Sequence, residues 1–378
     1  MLATSDLDYE LPETCVAMTP ASPRDSARLL VISRSDPSLR QHLHVRDLPE
    51  LLHPRDLLVV NSTRVIPARL QGRRADTGGS VEGLYLGPGS PGEPDAVWRV
   101  LLKGRRMKPG IFVDLDDAHG RPHGVRLELL TRDADDDTGG WLVRVHGTGG
   151  RTTLGILGEE GGTPLPPYIR AARKRHGVEI DDAVDRAAYQ TAYARPPGDA
   201  RGAGAGSVAA PTAGLHFTPE LLATLADGGV DRAEVVLHVG TGTFKPVEAE
   251  FVEQHPMHAE WCTVPAATSA AMARARASGG RVFAVGTTSA RTLESFTDSE
   301  LAGGADASHW TRMLITPGYT WRHIDGLMTN FHLPRSTLLA MVAALLPGGA
   351  AQLLDVYREA IARGYRFYSY GDAMLVLP

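Results

Sequence analysis

The chain has 378 residues, 43% of them hydrophobic and 22% charged, with a formal net charge of −5. That length exceeds what a single core usually serves and predicts two domains in a soluble globular protein. The acidic balance excludes a protein that coats nucleic acid through bulk charge, no apolar run reaches the length of a membrane span, and Met1–Glu10 carries acids without an apolar leader.

Two cysteines, Cys15 and Cys262, cannot form a disulfide framework and predict a reducing, cytoplasmic setting. In chain order, Arg28–Ser33 and Asp56–Asn61 read as short buried strands, with a short helix over Val45–Leu52 between them. From Arg64 to Leu154 the texture changes. Six β-rich runs are separated by Gly, Pro and Asp turns: Ala68–Arg73, Val81–Leu86, Val97–Leu102, Ile111–Leu115, Val125–Leu130 and Trp141–His146. Close spacing without a helical period predicts a small antiparallel β-barrel.

Beyond Leu154 helices and strands alternate. Ala183–Tyr193 reads as helix, and the low-complexity run Asp199–Gly206 as a mobile segment. Thr218 is placed as an N-cap, with Pro219 at the first helical position and Leu221, Leu222 and Leu225 forming the apolar face. Gly228-Gly229 closes that helix. Strands follow at Ala233–Val239, Arg281–Gly286 and Ile324–Asn330. Helices follow at Ala266–Ser278, Ser289–Phe296, Ser336–Leu346 and Leu353–Arg363, with a last strand over Phe367–Tyr370. The predicted fold is α/β, a larger α/β domain (residues 1–63 and 155–378) with a small inserted antiparallel β-barrel (64–154).

Residues for chemistry gather where strands end. Ser207–Glu220 is small, nearly uncharged and punctuated by Gly and Pro, and it presents Thr212 and His216. His238–Val247 has the same character and presents Thr241 and Thr243, but its Gly-x-Gly run lacks the third glycine of a dinucleotide loop. Gly286-Thr287-Thr288-Ser289-Ala290-Arg291 joins a strand to a helix, where hydroxyls and free N–H groups bind anions. Asn330-Phe331-His332 does likewise. Glu260 reads as a carboxylate that orients a hydroxyl or faces a cation. Arg64 reads as an anion anchor, and Asp372 as a ligand-binding acid. His255-Pro256-Met257-His258 lacks zinc-site spacing, and no metal is expected. Neither a P-loop nor a Gly-x-Ser-x-Gly elbow occurs. Two basic clusters stand out: Lys103, Arg105, Arg106 and Lys108 in the barrel, and Arg170, Arg173, Lys174 and Arg175 after Pro-Pro-Tyr.

Several of these stretches together resemble one family. Asp6–Pro12, Pro23–Leu30, Asn61–Arg69, Pro164–Ile169, Tyr189–Thr191, Gly206–Leu222, His238–Val247, His255–Glu260, Gly286–Ser295, Thr329–Leu339 and Arg366–Met374 are similar, in order, to the S-adenosylmethionine:tRNA ribosyltransferase-isomerases of queuosine biosynthesis. The resemblance implies an α/β domain with an inserted barrel. It also implies transfer and isomerisation of the ribosyl part of S-adenosylmethionine (AdoMet) as cosubstrate. The acceptor would be the aminomethyl group of a 7-deazaguanine at the wobble position of a tRNA anticodon loop. Epoxyqueuosine would form, with adenine and methionine released. His216, His238, His332 and Glu260 are then the catalytic candidates. Arg64, Thr212, Thr241, Thr243, Thr287, Thr288, Ser289, Arg291, Asn330 and Asp372 are the substrate-binding candidates, and the two basic clusters the RNA contacts.

Departures from the family pattern are Ser62, where an Asp is usual, and apparent extensions at Asp199–Ala205 and Ala171–Asp185. They keep two other readings open: the same chemistry on a small 7-deazapurine acceptor, and a non-catalytic RNA-binding module. The sequence leaves the oligomeric state open, with a monomer favoured.

Overall fold

A computed structural model describes residues 1–90, 92–117, 120–133, 139–195, 206–240 and 246–378. Strands β1 (Arg28–Ser33), β2 (Arg40–His44) and β3 (Leu57–Asn61) precede six barrel strands. These are β4 (Arg69–Arg74), β5 (Ser80–Pro88), β6 (Val97–Lys103), β7 (Phe112–Asp116), β8 (Pro122–Arg132) and β9 (Trp141–His146). Afterwards come β10 (Asp231–Leu237), β11 (Glu260–Val264), β12 (Val282–Val285), β13 (Ala307–Thr311), β14 (Gly326–Asn330) and β15 (Ala373–Leu377). The protein is thus α/β, with a nine-stranded mixed sheet in the order β13-β11-β10-β3-β12-β14-β15-β1-β2 and a closed barrel in the order β4-β5-β6-β9-β8-β7.

The centre of the large sheet is parallel: β3 pairs with β10 and β12, and β12 with β14. The central pair β3 and β12 are nearly continuous apolar runs, as strands covered on both faces must be. Successive residues feed opposite cores. Leu57, Val59, Ala284 and Leu327 join one cluster with Leu353 and Tyr357 of helix Gly349–Ala362. Leu58, Val60, Val285 and Met328 join another with Leu221 and Leu225 of helix Pro219–Asp227. That helix is capped as its sequence predicts, with Leu221 N donating to Thr218 Oγ1 at 3.1 Å.

The barrel strands alternate buried and exposed positions, and closure leaves no free edge. Trp98, Trp141, Val113 and Leu127 fill its interior. Its cluster also takes Ile156 and Leu157 of helix Thr153–Glu160, and Trp98 Nε1 donates to Thr153 Oγ1 at 2.9 Å.

Three of the sequence expectations change. The last strand is Ala373–Leu377, not Phe367–Tyr370, which is a buried turn whose aromatic rings pack into the cores. The helix expected over Ala183–Tyr193 spans Asp182–Ala188, and Tyr189–Tyr193 runs on as irregular chain. Strands β2, β11 and β13 were not expected: β2 and β13 are sheet edges with polar residues, and β11 opens on the charged Glu260. Of the expected mobile segment Asp199–Gly206, only Gly206 lies within the described residues.

Candidate functional site

The four parallel strands β10, β3, β12 and β14 point their carboxyl ends the same way, and ligands of open α/β sheets bind outside such ends. Two cavities open there. A large one, about 1080 Å³, lies over the β10 and β3 ends and is lined by Thr63, Arg64, Tyr189, Thr191, Arg195 and His238, among others. A small one, about 50 Å³, lies over the β12 and β14 ends and is lined by Thr212, Thr287, Thr288, Asn330, His332 and Tyr368, among others. The loop Gly206–Ala213 divides them: Gly206 lines the large cavity and Ala210–Ala213 the small one. The consecutive residues His238 and Val239 also part, one to each side. Ser207 Oγ locks this partition by donating to Ala209 O at 2.6 Å and accepting from Val239 N at 3.1 Å.

The polar groups of the small cavity are largely committed to one another. Thr329 Oγ1 and His332 Nε2 are 2.7 Å apart, and His332 N donates to Tyr357 Oη at 2.9 Å. Asn330 Nδ2 donates to His216 Nε2 at 3.2 Å and to Tyr368 O at 3.2 Å. That geometry puts the His216 ring proton on Nδ1. Burial lowers the His216 pKa to about 4, which the Asp372 carboxylate partly opposes, and lowers His332 to about 3. Both rings are therefore neutral hydrogen-bonding groups at pH 7. Asn330 Oδ1 and Thr288 Oγ1 remain buried without partners.

The turn that aims Asn330 is held under strain. Tyr368 has φ 72°, a left-handed backbone that costs an aromatic residue on the order of 1 kcal/mol or more. Its ring packs on Tyr168 at 4.6 Å, and Tyr168 Oη meets Ser369 Oγ at 2.6 Å. Asp372 closes the turn by accepting from Arg366 N at 2.8 Å and Arg28 N at 3.0 Å. It is a buried acid that locks the turn and lines neither cavity.

The large cavity differs in kind. Among the described residues, five buried side-chain polar atoms of its lining lack a partner: Thr63 Oγ1, Thr191 Oγ1, Arg195 Nη1, and both ring nitrogens of His238. Buried polar groups are normally paired, so such a concentration marks a surface that waits for a polar ligand. Burial lowers the His238 pKa, and no other group opposes it.

Of the sequence-derived residues, Thr212, Thr287, Thr288, Asn330 and His332 converge on the small cavity, and Arg64 and His238 on the large one. His216 supports the small cavity from behind through Asn330. Ser289 reaches neither: fully buried, it donates to Val285 O at 2.8 Å within its helix, which removes it from the expected ligand contacts. Glu260 and Arg291 form a buried ion pair, and Glu260 Oε1 accepts from Gly240 N at 2.8 Å. Burial brings the Arg291 guanidinium down to about 10. The pair braces the β10 exit and lines neither cavity. Thr241 and Thr243 lie outside the described residues. Sequence reasoning missed Thr63, Tyr189, Thr191 and Arg195. Thr63, Tyr189 and Thr191 lie in stretches that resemble the family, but the helix expected over Ala183–Tyr193 gave no reason to single out their side chains.

Lys103, Arg105, Arg106 and Lys108 are exposed on the barrel, and Lys174 and Arg175 on helix Pro167–His176. The two clusters are neighbours: Glu82 faces Lys103 across β5 and β6, and its carboxylate pairs with Arg170 at 3.2 Å. Arg173 is an exception. It is buried, gives two hydrogen bonds to Asp185 at 2.6 and 2.8 Å and one to Met18 O at 3.0 Å, and has no face for a phosphate. Among the described residues no three His, Cys, Asp or Glu side chains gather as metal ligands, and no helix is long and apolar enough to cross a membrane.

Comparison with known proteins fits this architecture. Residues 4–376 match the family model described as queuosine biosynthesis protein. A Heliobacterium modesticaldum protein named S-adenosylmethionine:tRNA ribosyltransferase-isomerase is 47% identical over 371 residues, 98% of each chain. A Gloeobacter violaceus protein of the same name is 48% identical over 378 residues, covering 99% of this chain and 96% of its own. The crystal structure of a Thermotoga maritima S-adenosylmethionine tRNA ribosyltransferase is 32% identical, with a TM-score of 0.50 over 98% of this chain and all of its own. Family match, full-length identity and the sheet-plus-barrel architecture agree: the chain belongs to the queuosine biosynthesis protein family and is an enzyme of the ribosyltransferase-isomerase kind.

Proposed function

We propose that this enzyme transfers and isomerises the ribosyl part of AdoMet onto the aminomethyl group of 7-aminomethyl-7-deazaguanine at the tRNA wobble position. Epoxyqueuosine forms, and adenine, methionine and a proton leave. The observation that carries this reading is full-length identity of 47–48% to proteins named for AdoMet and tRNA.

The two cavities support it. The large one is of the size that encloses nucleoside ligands, with mostly apolar walls and a few polar groups to fix orientation. His238 is the best-suited group for proton transfer, because both of its ring nitrogens are uncommitted. The reaction needs a base to draw a proton from the carbon beside the sulfonium and an acid to protonate the departing adenine. His216 and His332, held neutral well below pH 7, serve as positioning groups for the wall that carries Thr212, Thr287, Thr288 and Asn330. Hydroxyls and an amide at that wall suit ribose hydroxyls. The exposed bases Lys103, Arg105, Arg106, Lys108, Arg170, Lys174 and Arg175 suit anticodon-arm phosphates, an acidic protein needing a local patch. A cytoplasmic monomer completes the proposal.

The test is incubation with AdoMet and tRNA carrying the aminomethyl-deazaguanine. Free adenine should appear, together with a wobble nucleoside of epoxyqueuosine mass. Adenine release with the free deazapurine but not with the tRNA would make the acceptor a small molecule. Binding of tRNA without adenine release from either would leave an RNA-binding module.

A further inference from the structure

The large cavity holds a cation that nothing above assigns. Arg195 leaves helix Asp182–Ala188 by an irregular stretch and comes to rest across the carboxyl end of β3. Three hydrogen bonds fix it there. Arg195 N donates to Ser62 O at 3.0 Å, Arg195 Nε donates to Ser62 Oγ at 2.9 Å, and Arg64 Nε donates to Arg195 O at 2.6 Å. The side chain is nine-tenths buried, with 10% of its surface exposed, yet among the described residues Nη1 has no partner.

Two of the other cavity arginines are differently placed. Arg24 spends its guanidinium on the carbonyls of Gln190 and Ala187, and Arg186 spends its own on Asp182, Gly158 O and Gly161 O. The acid next to Arg195, Glu234, is a third exposed and approaches Nε at 3.6 Å rather than the orphaned Nη1 within hydrogen-bond distance. Among the described residues lining the cavity, Glu220 is the one acid, against four arginines. A buried guanidinium N–H without an acceptor costs the folded protein free energy, and a charged acceptor is its natural complement. Beside it, Thr63, Thr191 and His238 offer further unpartnered polar atoms.

We infer that Arg195, with Thr63 and His238, forms an oxyanion-binding subsite in the large cavity. It rests on the proposed function only for the source of the anion. Two substrates of that reaction carry one: AdoMet has the carboxylate of its methionyl part, and tRNA has the phosphates flanking the acceptor base. Ser62 is integral to the subsite. Its hydroxyl orients Nε without neutralising the charge, whereas the acid usual at this place in the family pattern would.

The test is equilibrium binding, measured by calorimetry on the full chain, of AdoMet, of decarboxylated AdoMet and of the acceptor tRNA. It uses wild type, Arg195→Gln, Arg195→Lys and Ser62→Asp, with a thermal melt of each. If the anion is the carboxylate, wild type binds AdoMet roughly ten- to a hundredfold tighter than its decarboxylated form, and Arg195→Gln erases that preference while tRNA affinity stays. If it is a phosphate, Arg195→Gln weakens tRNA by a similar factor and leaves both AdoMet forms unchanged. Ser62→Asp keeps the guanidinium, supplies an acid and weakens the same ligand, so the result does not hang on how one variant folds. Arg195→Lys keeps a charge without the fork and recovers part of the affinity. Affinities within twofold of wild type in both Arg195→Gln and Ser62→Asp overturn the subsite. A wild type that binds neither AdoMet nor tRNA overturns the functional reading itself.

Discussion

The two cavities sit side by side on one row of strand ends, and they are built on opposite principles. In the small one, Thr329 meets His332, Asn330 binds His216, and Tyr168 meets Ser369. Most of its polar groups form a network that sets geometry, with Asn330 Oδ1 and Thr288 Oγ1 left over among the described residues. In the large one, Thr63, Thr191, Arg195 and His238 carry buried polar atoms that nothing among the described residues satisfies. A satisfied buried network rigidifies, and an unsatisfied one stores the free energy that a ligand recovers. The contrast assigns precision to the β12–β14 side and ligand capture to the β10–β3 side.

The sharpest break of that contrast is a pair of histidine variants. His238→Ala should lower adenine release by roughly 10²–10⁴-fold. It should hardly move the melting temperature, because the ring gives up no hydrogen bond. His332→Gln should do more harm to stability and less to rate; equal behaviour of the two would erase the distinction. Next in size is Arg173→Gln, which strands Asp185 in the interior. Denaturant unfolding should show a loss of about 3–5 kcal/mol, with the salt dependence of tRNA binding unchanged. A changed salt slope would return Arg173 to the RNA surface.

The small cavity's histidines predict a pH signature. Both rings have an ordinary value of 6.5, against about 4 for His216 and about 3 for His332 in the folded protein. Between those values the unfolded chain binds more protons, so their contribution is complete above pH 6.5 and drains away as pH falls, towards 4 for His216 and towards 3 for His332. At pH 5 the loss should be about 2 kcal/mol per ring, and His332→Gln should flatten the profile between pH 6.5 and 4. A profile identical to wild type would contradict the burial of that ring.

Gly214→Ala probes the large cavity's wall. A Cβ there would lie 1.9 Å from Tyr193 Oη and 2.9 Å from Thr191 Cγ2. Overpacking of this kind costs about 1–3 kcal/mol and should also weaken AdoMet binding, measured by calorimetry. The smallest effect is expected at the barrel. Changing Lys103, Arg105, Arg106 and Lys108 to Gln should reduce the log–log salt slope of tRNA binding by roughly 0.7–0.9 for each phosphate left without its cation, with AdoMet affinity unaltered. An unaltered slope would move the RNA surface elsewhere.

Much of the fold was legible because its signals are local. The apolar runs of β3 and β12, the alternating runs of the barrel and the Thr218-Pro219 cap each declare themselves over a few residues. Phe367–Tyr370 misled because an aromatic run has the composition of a strand. Only tertiary packing makes it a turn, with Tyr368 at φ 72°. The structure ties His216 to Asn330 and His332 to Thr329 beside the small cavity, partnerships that no motif announces. Thr63, Thr191 and Arg195 were silent because an unpartnered atom is a property of the surroundings. Nothing in Tyr-Gln-Thr-Ala-Tyr-Ala-Arg says that its side chains meet no partner.

The most direct test is the structure of the enzyme bound to AdoMet and a wobble-modified anticodon stem-loop. The account predicts bound substrate within the large cavity, with hydrogen bonds to a His238 ring nitrogen, Thr63 Oγ1 and Arg195 Nη1. Substrates seated elsewhere, with those atoms still unpartnered, would contradict it.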